Sequence, residues 1–203
     1  MTTAAPTLRD RKKVRTSAAI FDAAVALMAD RSYADITVEE ICERAEVGRA
    51  TFFRSYGSKA GLLGEFARQM AEVAAATLAA SSAETAEARL GVIEEVVRDT
   101  WLESDAGIRE MGAETIRAGM PRGGLDMHAE LIALIAEIMR SGQESGEFRT
   151  TALTPELLSW MLIVNLGLCV MDWLDHPEGA PLGERTRAAL DVQLAGLRQP
   201  PKN

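Results

Sequence analysis

The stretch that decides the fold runs from Thr37 to Lys59 and reads TVEEICERAEVGRATFFRSYGSK. Thr37 followed three residues later by Glu40 is a capping box, in which each side chain satisfies a backbone amide left over at a helix start. Val38, Ile41, Cys42 and Ala45 then recur at i, i+3, i+4, i+7, the buried stripe of one short helix. Glu46-Val47-Gly48 reads as the turn, with Gly48 expected to supply backbone angles that a branched residue resists. Arg49 to Tyr56 forms the next helix, with Phe52 and Tyr56 one turn apart on its inward side, and Gly57 ends it. Ser58 is placed to cap a further helix. Two short helices joined by a three-residue turn make a helix-turn-helix.

Working outward, residues 1–12 are expected to be a polar, mobile lead. A first helix is predicted from Val14 to Ala29, with Ile20, Phe21, Ala24, Leu27 and Met28 on one stripe, and Arg31 to Asp35 as a turn. On the other side, Leu62, Leu63, Phe66 and Met70 give a fourth helix reaching Ala80. Further helices are predicted over 85–103, 106–118, 125–141, 154–175 and 182–197, separated by Ser81-Ser82, by the loop 119–124, by Gly142 and Gly146, and by Pro177. Thr154-Pro155 is a strong start, since proline suits the first helical position. No strand-type alternation and no internal repeat is present. The expectation is an all-α chain of about nine helices. Residues 1–58 are expected to form an N-terminal arm and three-helix helix-turn-helix domain, and residues 59–203 a C-terminal helical bundle.

Composition agrees with a helical protein and constrains its partners. Hydrophobic residues make up 47% of 203, enough for a sizeable core. Net charge is −8, which by itself argues against nucleic acid. Its distribution reverses that argument. Residues 1–60 hold ten basic and eight acidic side chains, while the remainder holds twelve and twenty-two. A basic head with Arg9, Arg11, Lys12, Lys13 and Arg15 in front of an acidic body suits contact with DNA at one end only. Cys42 and Cys169 form neither a disulfide framework nor a metal motif, and a reducing cytoplasm is the simplest home. The N-terminus lacks the apolar core of a signal peptide. The longest apolar stretch, Leu157 to Met171, is 15 residues interrupted by Ser159 and Asn165, short of a membrane span.

From Thr16 to Phe66, the runs AAIFDAAVALM and ITVEEICERAEVGRATFFRSYGSKAGLL resemble the N-terminal DNA-binding domain of the TetR family of transcriptional regulators. The resemblance implies a homodimer of nine or ten helices per chain that binds a palindromic operator, usually as a repressor released by a small ligand. The residue chemistry suits that role. Arg49, at the start of the recognition helix, has the geometry for a bidentate pair with guanine. Ala50 lets the backbone approach and offers a methyl to thymine; Thr51 can bond base or phosphate; Arg54 lies one turn on. Thr37 and Lys59 stand at helix starts, where phosphates bind. Phe53 stands where the family often has a tyrosine whose hydroxyl meets phosphate, so its part is reduced to packing. Ser55 replaces a usual aromatic or histidine but still offers a hydroxyl that can reach a phosphate, and Gly48 replaces a usual Ser or Thr cap. Each of these residues also has an ordinary role: arginines as a solvated face, Thr37 as a cap alone. The Gly57-Ser58-Lys59 run lacks the spacing of a phosphate loop.

In the C-terminal part, Trp101, Met111, Met120, Met127, Met161, Asn165, Cys169 and Trp173 are candidates to line a pocket for an apolar or aromatic effector, adaptable Met and flat aromatics being suited to it. The same residues serve equally as core. The eighth helix is apolar nearly all round and must be covered on several sides. Leu157, Met161, Val164 and Leu168, with Leu190 and Leu194 of the ninth helix, are the candidates for a four-helix dimer interface. His128 and His176 belong to no ligand cluster, so no metal, cofactor or catalytic group is expected. Two other readings stand beside this one. One is a helical-bundle enzyme or small-molecule carrier whose head is structural; the other is a regulator controlled by a protein partner, whose C-terminal core is collapsed.

Overall fold

The computed structural model describes residues 7–117 and 128–199. Nine α-helices lie among them: α1 (Leu8–Met28), α2 (Val38–Arg44), α3 (Arg49–Tyr56), α4 (Leu62–Ala80), α5 (Ala86–Glu103), α6 (Ala106–Arg117), α7 (Ala129–Glu144), α8 (Pro155–Asp175) and α9 (Leu182–Ala195). Two 3₁₀ turns, Tyr33–Asp35 and Lys59–Gly61, precede α2 and α4. An isolated antiparallel bridge joins Phe148 to Arg198. The chain is all-α, as its periodicity predicts.

Helix starts follow the capping residues. Thr37 accepts from the Glu40 amide while Glu40 accepts from the Thr37 amide, a complete capping box. Thr85 caps α5 by accepting from the Ala88 amide, and Thr154 caps α8 ahead of Pro155 by accepting from the Leu157 amide. One boundary differs from expectation. Helix α1 begins at Leu8 rather than Val14, so Lys12 and Lys13 sit on helix and not on a loose arm. The Thr16 hydroxyl donates back to the Lys12 carbonyl across one turn. The predicted residues 125–127 of the seventh helix lie outside the described residues.

The Glu46-Val47-Gly48 turn also works differently from its reading. Gly48 has φ −77°, ψ 151°, open to any residue, and a side chain there would meet nothing within 4 Å. The left-handed position is Glu46, at φ 53°. Gly57, at φ 69°, is the glycine of the head whose freedom the fold uses: it ends α3, its amide donating to the Phe53 carbonyl.

Contacts divide the chain into two compact units, Met1–Phe66 with Asp105–Gly119, and Ala67–Ser104 with Met120–Asn203. In the first, Ile20, Ile41, Phe52 and Leu62 are fully enclosed at the junction of α1, α2, α3 and the start of α4. Each such side chain contributes about 1.5–3 kcal/mol by leaving water. The first unit also takes in α6, which the sequence reading assigned to the C-terminal bundle. In the second unit α5, α7, α8 and α9 pack around Leu90, Ile93, Leu131, Ile135, Ile138, Leu162, Val170, Leu190 and Leu194.

Helix α8 has a mean hydropathy of 1.8 over its most apolar window, yet only 33% of that window is buried. By length and composition it qualifies to cross a membrane, the one described helix that does. This corrects the estimate from its 15-residue apolar stretch, because the helix extends to 21 residues.

Candidate nucleic-acid interface

Helix α3 exists because Phe52 and Tyr56 anchor it. Phe52 is fully buried, and the Tyr56 ring lies 5.7 Å from it. The Tyr56 hydroxyl donates to the Ser17 carbonyl of α1 at 2.6 Å, fixing the roll of α3 on α1. With that face turned in, Arg49, Ala50, Phe53 and Arg54 are exposed, and Thr51 and Ser55 are half-buried. The structure therefore gathers six of the eight predicted contact residues on α3, with its N-terminal residues free to enter a groove.

Arg49 is not a free side chain. Its guanidinium lies 2.5 Å from the Glu39 carboxylate of α2 and 5.8 Å from the centroid of the Phe53 ring. Arg54 donates weakly to the Thr51 hydroxyl at 3.4 Å. Phe53 is 42% exposed and meets Phe52 edge to face. Packing is thus only part of its role, since its outer surface carries Arg49.

Thr37 and Lys59 behave differently from their reading as ready phosphate clamps. The Thr37 hydroxyl donates to Glu40 at 2.8 Å, so it is engaged within its own capping box. Glu40 is in turn held by Arg31 at 2.5 Å. That guanidinium, then the Thr37 amide and hydroxyl, draw the Glu40 carboxyl down to about 2. Lys59 donates to the Tyr33 carbonyl and sits 4.0 Å from the centroid of the Tyr33 ring. Burial lowers its pKa against the pull of Glu114 and Glu110. Its ammonium is directed into the head, and the Gly61 and Leu62 amides beside it are bonded to the Ser58 and Lys59 carbonyls. Ser58 occupies the cap position without a side-chain cap bond.

Four residues that sequence reasoning passed over complete the site: Glu39, Arg31, Tyr33 and Glu110. Glu110 of α6 accepts from the Ser32 hydroxyl and, at 2.9 Å, from the Tyr33 amide. Those bonds hold its carboxyl below the usual range. Burial, with Glu114 nearby, pushes the Tyr33 phenol up to about 12. The loop that leads into α2 is thereby pinned on two sides, by Lys59 and by Glu110. Only the capping position of Ser32 hints at this in the sequence.

Of the predicted effector residues that are described, Met111 falls in the first unit and Trp101, Met161, Asn165, Cys169 and Trp173 in the second. Met111 is fully buried on α6, within the first unit. Met120 and Met127 lie outside the described residues. Trp101 is buried in the second unit, Trp173 is half-buried and Met161 exposed. Asn165 donates to the Gln193 side chain at 3.4 Å, and the Cys169 thiol to the Arg185 carbonyl at 3.5 Å. Burial raises the Cys169 pKa, which makes it a packing thiol and not a reactive one. An open groove of about 540 Å³ in the second unit is lined by Thr85, Ala88, Val92, Glu95 and Arg187 among others, and by none of the predicted effector residues.

Of the predicted interface residues, Leu157, Met161 and Leu168 of α8 are exposed and Val164 is half-buried. Leu190 and Leu194 face the other way. Each is 1% exposed within a single chain and has no surface left for a second copy. On α9 the exposed apolar side chain is Val192, at 77%.

Residues 20–66 match the family model described as bacterial regulatory proteins, tetR family. No curated protein matches the chain in sequence. Among solved structures, the chain is similar to Thermus thermophilus FadR, a TetR family transcriptional repressor in complex with lauroyl-CoA. The TM-score is 0.69 at 24% identity, over 92% of this chain and 98% of that one. It is also similar to the fatty acid degradation regulator FadR from Bacillus halodurans (TM-score 0.63, 22% identity, 89% and 98% covered). A third similar structure is the transcriptional repressor QsdR of R. erythropolis (TM-score 0.62, 21% identity, 93% and 98% covered).

Proposed function

We infer the function from the premise that this chain belongs, by its N-terminal domain, to the TetR family of bacterial regulatory proteins: it is a dimeric, sequence-specific transcriptional regulator that acts as a repressor and is released by a small effector. The observation that carries this reading is the head itself, a helix-turn-helix with Arg49, Ala50 and Arg54 exposed on a recognition helix that Phe52 and Tyr56 lock from behind. Arg49 reads a guanine edge; Ala50, Thr51 and Arg54 contact neighbouring bases or phosphates; and the starts of α2 and α4 receive phosphates. A non-enzymatic, cytoplasmic role in contact with double-stranded DNA follows.

Dimerisation supplies the second half-site. Leu157, Met161, Val164 and Leu168 of α8 with Val192 of α9 make an apolar face that one chain leaves uncovered, and a second copy covers it. Two heads about one DNA turn apart, roughly 34–36 Å, then read the halves of a palindromic operator.

The effector is apolar or aromatic and binds in the second unit. Helix α4 is one continuous helix whose first residues pack in the head and whose remainder, from Ala67, belongs to the second unit. Effector binding that favours one setting of α4 changes the spacing of the heads. By linkage, operator DNA weakens effector binding by the same factor. The Thermus FadR structure holds lauroyl-CoA, so a long acyl-CoA is the first probe to try.

Fluorescence anisotropy with DNA from the protein's own promoter region tests the reading. Specific binding is expected to fall steeply with salt, and Arg49→Ala to cost about 1–3 kcal/mol of specific binding. Salt-insensitive binding without sequence preference would sink it.

A further inference from the structure

We propose that Glu39 and Phe53 are positioning residues that present Arg49 to a single guanine in each operator half-site, and that Glu39 therefore sets base preference without touching DNA. The inference rests on the DNA-binding reading above and adds to it.

A carboxylate at the start of α2 is out of place on a surface meant for phosphates. Helix α2 carries two in its first turn, Glu39 and Glu40. Glu40 is engaged with Arg31 and the Thr37 cap. Glu39 instead reaches across the turn to Nη1 of Arg49 at 2.5 Å. A guanidinium has five N–H donors on a rigid fork. A carboxylate on the Nη1 side leaves the Nε–Nη2 edge open, and that edge matches the O6 and N7 acceptors of guanine.

The second contact fixes the tilt. The Arg49 guanidinium lies 5.8 Å from the Phe53 ring centroid, within cation–π reach. Phe53 stands one turn beyond Arg49 on α3, and its own ring is braced edge to face by the buried Phe52 at 5.5 Å. Phe53 thus needs no hydroxyl for this role. Held from two sides, Arg49 has less rotamer freedom to lose on binding. The pair is not there for stability: with side chains 63% and 55% exposed, such an ion pair contributes little to folding.

The test is selection of binding sites from a random duplex library by the full-length protein. Wild type, Arg49→Ala, Glu39→Ala, Glu39→Gln and Phe53→Leu are compared, followed by anisotropy on the selected site and on random duplex. Thermal unfolding of each variant is recorded alongside. Wild type is expected to enrich one guanine per half-site that Arg49→Ala no longer selects. Glu39→Ala should lose preference for that same guanine by about ten-fold or more, while its affinity for random duplex rises because a negative charge is gone. Glu39→Gln removes the charge from a pair that makes no hydrogen bond and should lose the preference nearly as far as Glu39→Ala; Phe53→Leu should fall between wild type and these. Unfolding temperature should not move in Glu39→Ala. A Glu39→Ala variant that shifts affinity for all sequences by one common factor, with guanine preference intact, overturns the proposal and leaves the DNA-binding reading standing. A wild type that enriches no sequence overturns both.

Discussion

Glu94 is a carboxylate without any exposed surface, and its partners explain how the second unit tolerates it. One oxygen accepts from the Thr186 hydroxyl at 2.6 Å; the other lies 3.2 Å from the Arg187 guanidinium, out of line for a hydrogen bond. Removing the partner of a buried charge costs more than removing an exposed pair. Arg187→Ala is therefore expected to destabilise by about 2–3 kcal/mol in urea unfolding, below the fully buried case because Arg187 remains 43% exposed. Arg198→Ala, which breaks the exposed pair with Glu87, should cost under about 1 kcal/mol. In the head, Glu40 gives a pH prediction. Its pKa is depressed in the folded state from 4.5 to about 2, first by Arg31 and then by the Thr37 amide. Its contribution is present above the unfolded value of 4.5 and disappears as pH falls towards 2. Chemical unfolding between those limits should show wild type losing stability that Arg31→Ala, lacking the pair, loses to a smaller extent.

At the scale of elements, the informative case is α6. Its position in the chain suggests the C-terminal bundle, but its contacts lie with the head. Glu110 takes the Ser32 hydroxyl and the Tyr33 amide, and Gly107 lies so close to α1 that an added methyl would sit 2.4 Å from the Met28 Cβ. Gly107→Ala should force α6 away from α1 and destabilise by about 1–3 kcal/mol, measured by thermal unfolding. Gly48→Ala, where the added methyl meets nothing within 4 Å, serves as the control without this cost. The head's turn teaches the same lesson in reverse. A glycine in a turn invites the left-handed reading, yet Glu46 carries the positive φ, because the Val47 amide reaches back to the Cys42 carbonyl and sets the reversal two residues earlier than Gly48.

For the whole molecule, the proposed dimer rests on the apolar face of α8. Leu168 is 59% exposed on a helix whose most apolar window has a mean hydropathy of 1.8. If a second copy covers it, Leu168→Glu should convert the dimer to monomer in sedimentation equilibrium and abolish tight operator binding while the helical content measured by circular dichroism is kept. Retained dimer would move the interface elsewhere. What the sequence by itself determined is the local part: about nine helices, the capping box at Thr37, the start at Thr154-Pro155, and the order of the head. Those features depend on spacings of three or four residues along one helix, which any reader of the chain can count. Tertiary structure decided which side chains meet across the packed elements. Arg49 with Glu39, Lys59 with Tyr33, Ser32 with Glu110, and Thr186 with Glu94 lie far apart in the chain or on different helices. Leu190 and Leu194 follow the same rule, because a stripe of leucines states that a face is buried and not what buries it. Which partner a side chain finds depends on the roll and register of two helices at once, and those are settled only when the whole core packs.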